Sequence, residues 1–136
     1  MALAEAMRLI VAIGVGCRAG VKGEAIAALA RRALAEFNAP EGQRRLFTLA
    51  DKSGEPGMIA AAQALGAPLT ALPLEALRAE EPRILTRSPA ARQRFGAASV
   101  AEAAALAGAG PGGRLLGPRL AANGATCAVA LSAEAP

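Results

Sequence analysis

The stretch Val11–Phe37, VAIGVGCRAGVKGEAIAALARRALAEF, decides the fold. It reads as a strand, a glycine turn and a helix, the order in which many α/β proteins present backbone to an anion. Arg8 to Gly14 is a continuous apolar run of strand length, as expected of a strand buried on both faces. From about Lys22, Ile26, Leu29, Ala30, Ala33, Leu34 and Phe37 fall on one helical face. Asn38 to Gly42 then ends the helix with turn chemistry.

The same alternation continues outward. Arg45 to Ala50 reads as a second strand, Asp51 to Gly54 as a polar turn, and Glu55-Pro56-Gly57 as the opening of a helix over Met58 to Leu65, stopped by Gly66. Leu69 to Leu72 is a third strand and Pro73 to Ala79 a short helix. The segment up to Gly96 reads as a long surface loop with a helical turn after Ser88-Pro89. Ser99-Val-Ala-Glu102 predicts a capping box and a helix to about Ala107. Strands at Arg114 to Leu116 and Ala125 to Leu131, joined by a loop around Asn123-Gly124, are close enough to pair antiparallel. The pattern predicts one domain over residues 1–136, a three-layer α/β/α sandwich with a mostly parallel, mixed central sheet.

Composition excludes several classes of function. The chain has no histidine, so it contains neither a Ser-His-Asp nor a Cys-His apparatus, and no imidazole to ligate zinc or the metal of a macrocycle. No metal site and no resident cofactor is expected. Apolar runs are broken well before the ~20 residues of a membrane span, and the early run from Leu9 to Val15 is too strand-like for a signal peptide. Two cysteines build no disulfide framework, which points to a reducing cytoplasm. The net charge is +4, with five arginines (Arg78, Arg83, Arg87, Arg92, Arg94) facing Glu80 and Glu81 in the long loop. With 2% aromatics, the chain lacks the stacking platforms of a nucleic-acid binder. An acidic small molecule suits this charge better.

The glycines at Gly14, Gly16 and Gly20 do not fit the dinucleotide fingerprint, being one residue too long for G-x-G-x-x-G, and no Lys-Ser pair makes a phosphate loop. A nucleotide-binding α/β domain is therefore the disfavoured alternative. The loop still offers backbone N–H groups, with Arg18 and Lys22 adding positive charge, and so predicts carboxylate binding. Cys17, beside Arg18 and close to a helix start, is a candidate thiolate. Lys52 and Glu55 follow the second strand and share its carboxyl-end rim. They are candidates to orient a substrate or move a proton. The candidate binding residues are Gly14, Gly16, Arg18, Gly20, Lys22 and Lys52; the candidate catalytic residues are Glu55 and Cys17. Cys127, within an apolar strand, reads as a core thiol.

Taken in order, G-x-G-C-R-x-G, D-K-x-x-E-P-G, S-V-A-E-A-A-A-L and a final P-R…A-T-x-A-V-A resemble the CobE/CbiG C-terminal domain family of cobalamin biosynthesis. Gly14, Gly16, Cys17, Arg18, Gly20, Lys52, Glu55, Pro56, Gly57, Ser99, Ala101, Glu102 and Ala103 fall on family positions. The chain departs from the family in two places: Val21-Lys22 replaces a small hydroxyl residue, losing a helix cap, and Arg119 stands where the family often has lysine. The resemblance implies an α/β/α fold and work on carboxylate-rich precorrin or corrinoid intermediates, as carrier or as auxiliary enzyme, with other cobalamin-pathway enzymes as possible partners. In the fused CbiG proteins the complete enzyme opens the δ-lactone of a cobalt-precorrin and releases acetaldehyde. A lactone-opening hydrolase using Glu55 or Cys17 is accordingly the alternative, although 136 residues leave no room for the amino-terminal half of a fused enzyme. The charged arms of such a ligand would meet Arg18, Lys22, Lys52 and the Arg83 to Arg94 loop, arginine being able to hold a carboxylate bidentately.

Overall fold

Alternation along the first strand builds two different faces. In β1 (Ile10–Cys17) the side chains of Val11, Ile13, Val15 and Cys17 enter one core, while Ala12 enters another on the opposite side. The structure, a computed structural model, describes residues 8–52, 54–90, 93 and 99–133. The other elements are α1 (Gly23–Glu36), β2 (Gln43–Leu49), α2 (Pro56–Leu65), β3 (Leu69–Leu72), α3 (Leu74–Arg78), α4 (Val100–Ala109), β4 (Arg114–Leu115), β5 (Leu120–Ala122) and β6 (Ala125–Leu131). Single 3-10 turns lie at Ala50–Lys52 and Glu81–Arg83.

The sheet is mixed and open, in the order β3-β2-β1-β6-β4, with β5 also on β6. β1, β2 and β3 run parallel, whereas β6 is antiparallel to β1 and to both short edge strands. Helices cover both faces, so the α/β sandwich read from the pattern is the architecture found. One face packs on α1 and α2 through Ile26, Leu29, Ala30, Ala33, Met58 and Ala61. The α1 positions among these follow the stripe expected from their spacing. The other face packs on α4, where Ala12, Ala128 and Ala130 meet Ala101, Ala104 and Ala105. Small residues on both sides bring this helix unusually near the strands. A Cβ on Gly14 would lie 1.9 Å from the carbonyl oxygen of Ala101.

Gly14 is a strand residue, as the apolar run to Gly14 predicts, but the strand does not stop there. Gly16 belongs to it too: β1 continues to Cys17 because β6 pairs with it through Gly16↔Thr126 and Cys17↔Ala125. The connecting loop is only residues 18–22. A strand not read from the sequence, β5, forms a hairpin with β6 across Asn123 (φ 53°) and Gly124 (φ 82°), the left-handed pair that suits a two-residue hairpin. Two helix ends form as expected: Gly66 closes α2 in the left-handed conformation (φ 62°), and the Ser99 hydroxyl caps α4 by accepting from the Glu102 amide at 3.3 Å. The start of α1 has Lys22 at its N-cap with no side-chain cap, as the loss of a hydroxyl there implies.

Beyond Gly14↔Phe47 the strands β1 and β2 part. The buried Thr48 hydroxyl donates to the Val15 carbonyl at 2.8 Å, satisfying a polar group that the ladder leaves behind. The gap that opens past this point, at the carboxyl ends of the parallel strands, positions the site.

Candidate functional site

A cleft of about 460 Å³ fills that gap. Its floor is Gly16 and Cys17 from β1 and Leu49 from β2, and one wall is the β5–β6 hairpin from Ala121 to Thr126. Val100 at the start of α4, Ser88 and Ala90 from the long loop, Lys52 and Arg119 complete it. The absence of a side chain at Gly16 keeps the floor open, since a Cβ there would come within 2.9 Å of the Thr126 hydroxyl. Arg18, Lys52 and Arg119 bring positive charge to the lining, and no Asp or Glu is among the described residues that line it. A low-dielectric wall with one sign of charge favours an anionic ligand.

The hairpin tip separates this cleft from a shallower, more open hollow of about 720 Å³. Arg18, Asn123 and Gly124 line both, and the Arg18 amide donates to the Gly124 carbonyl at 2.9 Å. Gly20 and Lys22 face the hollow, where Glu24 offsets part of their positive surroundings. The expected binding residues are thus divided. Gly16, Arg18 and Lys52 line the main cleft, and Gly20 and Lys22 lie on the far side of the hairpin tip. Gly14 lies inside the sheet beneath α4 and lines neither.

The two candidate catalytic residues sit close to Lys52 but at different depths. Cys17 is buried, 7% exposed, at the end of a strand rather than in a helix N-terminal turn. Burial, the largest influence, pushes its thiol above the usual 9.0; Lys52 pulls it down and Glu55 pushes it up. The thiol is therefore not activated, contrary to what its neighbours in sequence imply. Glu55 precedes α2 and accepts a long hydrogen bond, 3.4 Å, from the Gly20 amide. It braces the 18–22 loop and does not line the cleft. The same junction explains the glycine of D-K-x-x-E-P-G. A Cβ on Gly57 would lie 1.9 Å from the Val21 carbonyl, so the starts of α1 and α2 touch through bare backbone.

The arginine-rich loop is braced internally. Arg83 bonds Glu80 through Nε at 3.0 Å and also donates to the Gly113 carbonyl; Arg87 donates to the Glu81 carbonyl at 2.9 Å and reaches its carboxylate. These two arginines hold the loop in place instead of presenting charge to the cleft. Arg92 and Arg94 lie outside the described residues, as does Ser53 of the polar turn.

Glu102 forms one half of the capping box read from the sequence, through its amide, but its carboxylate has other partners. Its side chain is fully buried and does not return to the start of its own helix. Oε1 accepts from the amides of Leu85 (2.9 Å) and Thr86 (2.8 Å), and Oε2 from the amide of Arg119 (2.9 Å). One carboxylate thus fixes the loop that carries Ser88 and the kink between β4 and β5 that carries Arg119. Arg119 itself was visible in the sequence only as a departure from the family pattern. Among the described residues no three His, Cys, Asp or Glu side chains come together as metal ligands, and no helix is long and apolar enough to cross a membrane.

Residues 11–130 match the family model described as Cobalamin synthesis G C-terminus. The chain is 35% identical over 119 residues to Protein CobE of Sinorhizobium sp., a match covering 87% of this chain and 77% of that protein. It superposes with a TM-score of 0.86, at 34% identity, on the crystal structure of CobE, described as a protein from the cobalamin (vitamin B12) biosynthetic pathway; 96% of this chain and 95% of that one are covered. The cobalamin biosynthesis protein chiG of Agrobacterium tumefaciens str. C58 follows with a TM-score of 0.67 and 32% identity, covering 91% of this chain and 99% of that one. A cobalamin biosynthesis protein G homologue from Sulfolobus solfataricus shares the fold, with a TM-score of 0.64 at 20% identity over 92% of this chain and 37% of that longer one. The chain therefore belongs to the Cobalamin synthesis G C-terminus family, the group of cobalamin-biosynthesis proteins that includes CobE and the C-terminal domain of CbiG.

Proposed function

We propose that this protein binds a carboxylate-rich precorrin or corrinoid intermediate in the cleft between the ends of β1 and β2 and the β5–β6 hairpin. The observation that carries the reading is the lining itself: Arg18, Lys52 and Arg119 converge on one concave surface, with no carboxylate among the described residues that line it. Acetate and propionate arms of a corrin precursor are the anions that such a surface would take, each arm meeting a charged donor. Membership of a cobalamin-biosynthesis family supports this choice of ligand class. The cleft admits an edge of the macrocycle with its arms, and its mouth leaves the remainder exposed to a partner enzyme of the pathway in a cytoplasmic setting.

Binding is preferred to lactone hydrolysis for a chemical reason. Opening a lactone needs a nucleophile or a base at the acyl carbon. Cys17 is held as the thiol by burial, and Glu55 faces the Gly20 amide outside the cleft lining. The discriminating experiment is a spectroscopic titration with cobyrinic acid, a corrin bearing free carboxylates, run beside ATP. A change in the visible corrin bands with saturating affinity supports the reading. No response to the corrin alongside clear nucleotide binding overturns it.

A further inference from the structure

We propose that Glu102 is the positioning residue of the cleft: it sets the distance between the wall carrying Ser88 and the wall carrying Arg119, and aims the Arg119 guanidinium at the ligand. The proposal deepens the reading of the cleft as an anion site and rests on it for the ligand, but the geometry behind it is independent of any ligand. Glu102 is fully buried. Among the described residues the partners of its carboxylate are backbone amides, two on one loop and one on the other side of the cleft. Neither segment is held by regular structure at that point. Residues 84–88 follow a 3-10 turn, and residues 116–119 interrupt the edge between β4 and β5. The β6 ladder flanks the kink on both sides, with the Leu116 N–H on the Val129 carbonyl at 2.9 Å before it and Leu120 paired with Cys127 after it. A carboxylate is suited to this task because it accepts only, so every donor turned toward it is satisfied. Hydrogen bonds to an ionised acceptor are also stronger than those between neutral groups.

Glu102→Gln separates this role from simple packing. Glutamine keeps the volume and one acceptor oxygen. If that oxygen stays with Leu85 and Thr86, the amide nitrogen faces the Arg119 N–H, donor against donor. The Arg119 wall is then released while the core remains filled.

The two cysteines report on this directly. Cys17 lines the cleft, whereas Cys127 is 1% exposed in the middle of β6. Labelling with a thiol-specific aromatic disulfide, sites resolved by mass spectrometry, is expected to speed up about tenfold at Cys17 in Glu102→Gln, the change in opening equilibrium for one lost charge-assisted bond. Cys127 should label at the parental rate. Equal acceleration at both thiols, or none at Cys17, would overturn the proposal, since a role confined to the core would expose the two together. Should Glu102→Gln fail to fold, Thr86→Pro deletes one donor outside the core and is read by the same two thiols. A binding cycle with cobyrinic acid supplies the second arm. Glu102→Gln and Arg119→Ala each weaken binding, and the double variant should bind no more weakly than Arg119→Ala alone; multiplied losses would refute action through Arg119. If the parent protein binds no cobyrinic acid, the proposed function falls and the thiol rates alone decide the role of Glu102.

Discussion

Gly14 and Ala101 are in backbone contact: no side chain at position 14 fits between β1 and α4, because a Cβ would lie 1.9 Å from the Ala101 carbonyl and 2.5 Å from the Ala105 amide. The obstructing atoms belong to a helix and cannot rotate away. Gly14→Ala must push α4 off an alanine-packed face, and destabilisation of about 3 kcal/mol or more is expected, at the upper end for overpacked cores. Gly57→Ala meets the Val21 carbonyl at the same distance and should cost a similar amount. Gly54→Ala has open space and is the matched control, expected to be within about 0.5 kcal/mol of the parent. Urea midpoints at constant slope measure all three.

Thr48→Val should destabilise the protein by about 1–2 kcal/mol, since it keeps the shape but strands the buried Val15 carbonyl that the hydroxyl now serves at 2.8 Å. Equilibrium unfolding checks this, and a neutral substitution would mean that β1 and β2 do not part where described.

The cysteines predict an alkaline limit to stability. Burial raises the Cys127 thiol from 9.0 to about 12. The folded state therefore resists losing a proton that the unfolded chain gives up more easily. The stabilisation is fully present below the unfolded value and is lost as pH rises from about 9 towards 12, at about 1.4 kcal/mol per unit at the steepest. Cys127→Ala should flatten this part of the pH profile while lowering stability at neutral pH through the lost methylene-sized volume. At Cys17 the directions are specific: Glu55→Gln should lower the thiol's titration point and Lys52→Ala raise it, both read from thiolate absorbance in the ultraviolet.

Charge at the cleft should be readable one residue at a time. Arg18→Ala, Lys52→Ala and Arg119→Ala are each expected to weaken cobyrinic acid binding about tenfold, the size of one charge-assisted hydrogen bond. Arg83→Ala and Arg87→Ala should leave affinity nearly unchanged and act on loop stability instead, because their guanidinium groups are turned to Glu80, Glu81 and Gly113. Added salt should reduce the parental affinity.

The reasons why some of this was legible in the sequence and some was not are physical. The helical stripe of α1, the third strand, the left-handed stop at Gly66 and the serine cap of α4 depend on neighbours within a turn or two, and each formed where its pattern placed it. What the pattern misjudged depends on contacts far along the chain. Gly16 and Cys17 look like a turn beyond the strand until β6, more than a hundred residues later, pairs with them and draws them into it. Glu102 looks like half of a capping box because Ser99 stands three residues before it, yet its carboxylate is claimed by amides of residues 85, 86 and 119. Arg83 and Arg87 of the long loop look available until Glu80 and Glu81 take them. The carboxyl-end rule put Lys52, Glu55, Arg18, Cys17 and Gly16 on one rim; Lys52, Arg18, Cys17 and Gly16 line one cleft and Glu55 does not. The rule had no means of adding Arg119, which a non-local carboxylate brings there.

The central claim is that the cationic cleft takes a polycarboxylate corrin, and the most direct measurement is a titration of the parent protein with cobyrinic acid, paired with the same titration of the Arg18→Ala, Arg119→Ala double variant. The account predicts saturable binding by the parent, one corrin per chain, and a loss of about a hundredfold in the double variant, two charge-assisted contacts acting independently. Equal affinity in the two proteins, or no binding by the parent, would contradict it.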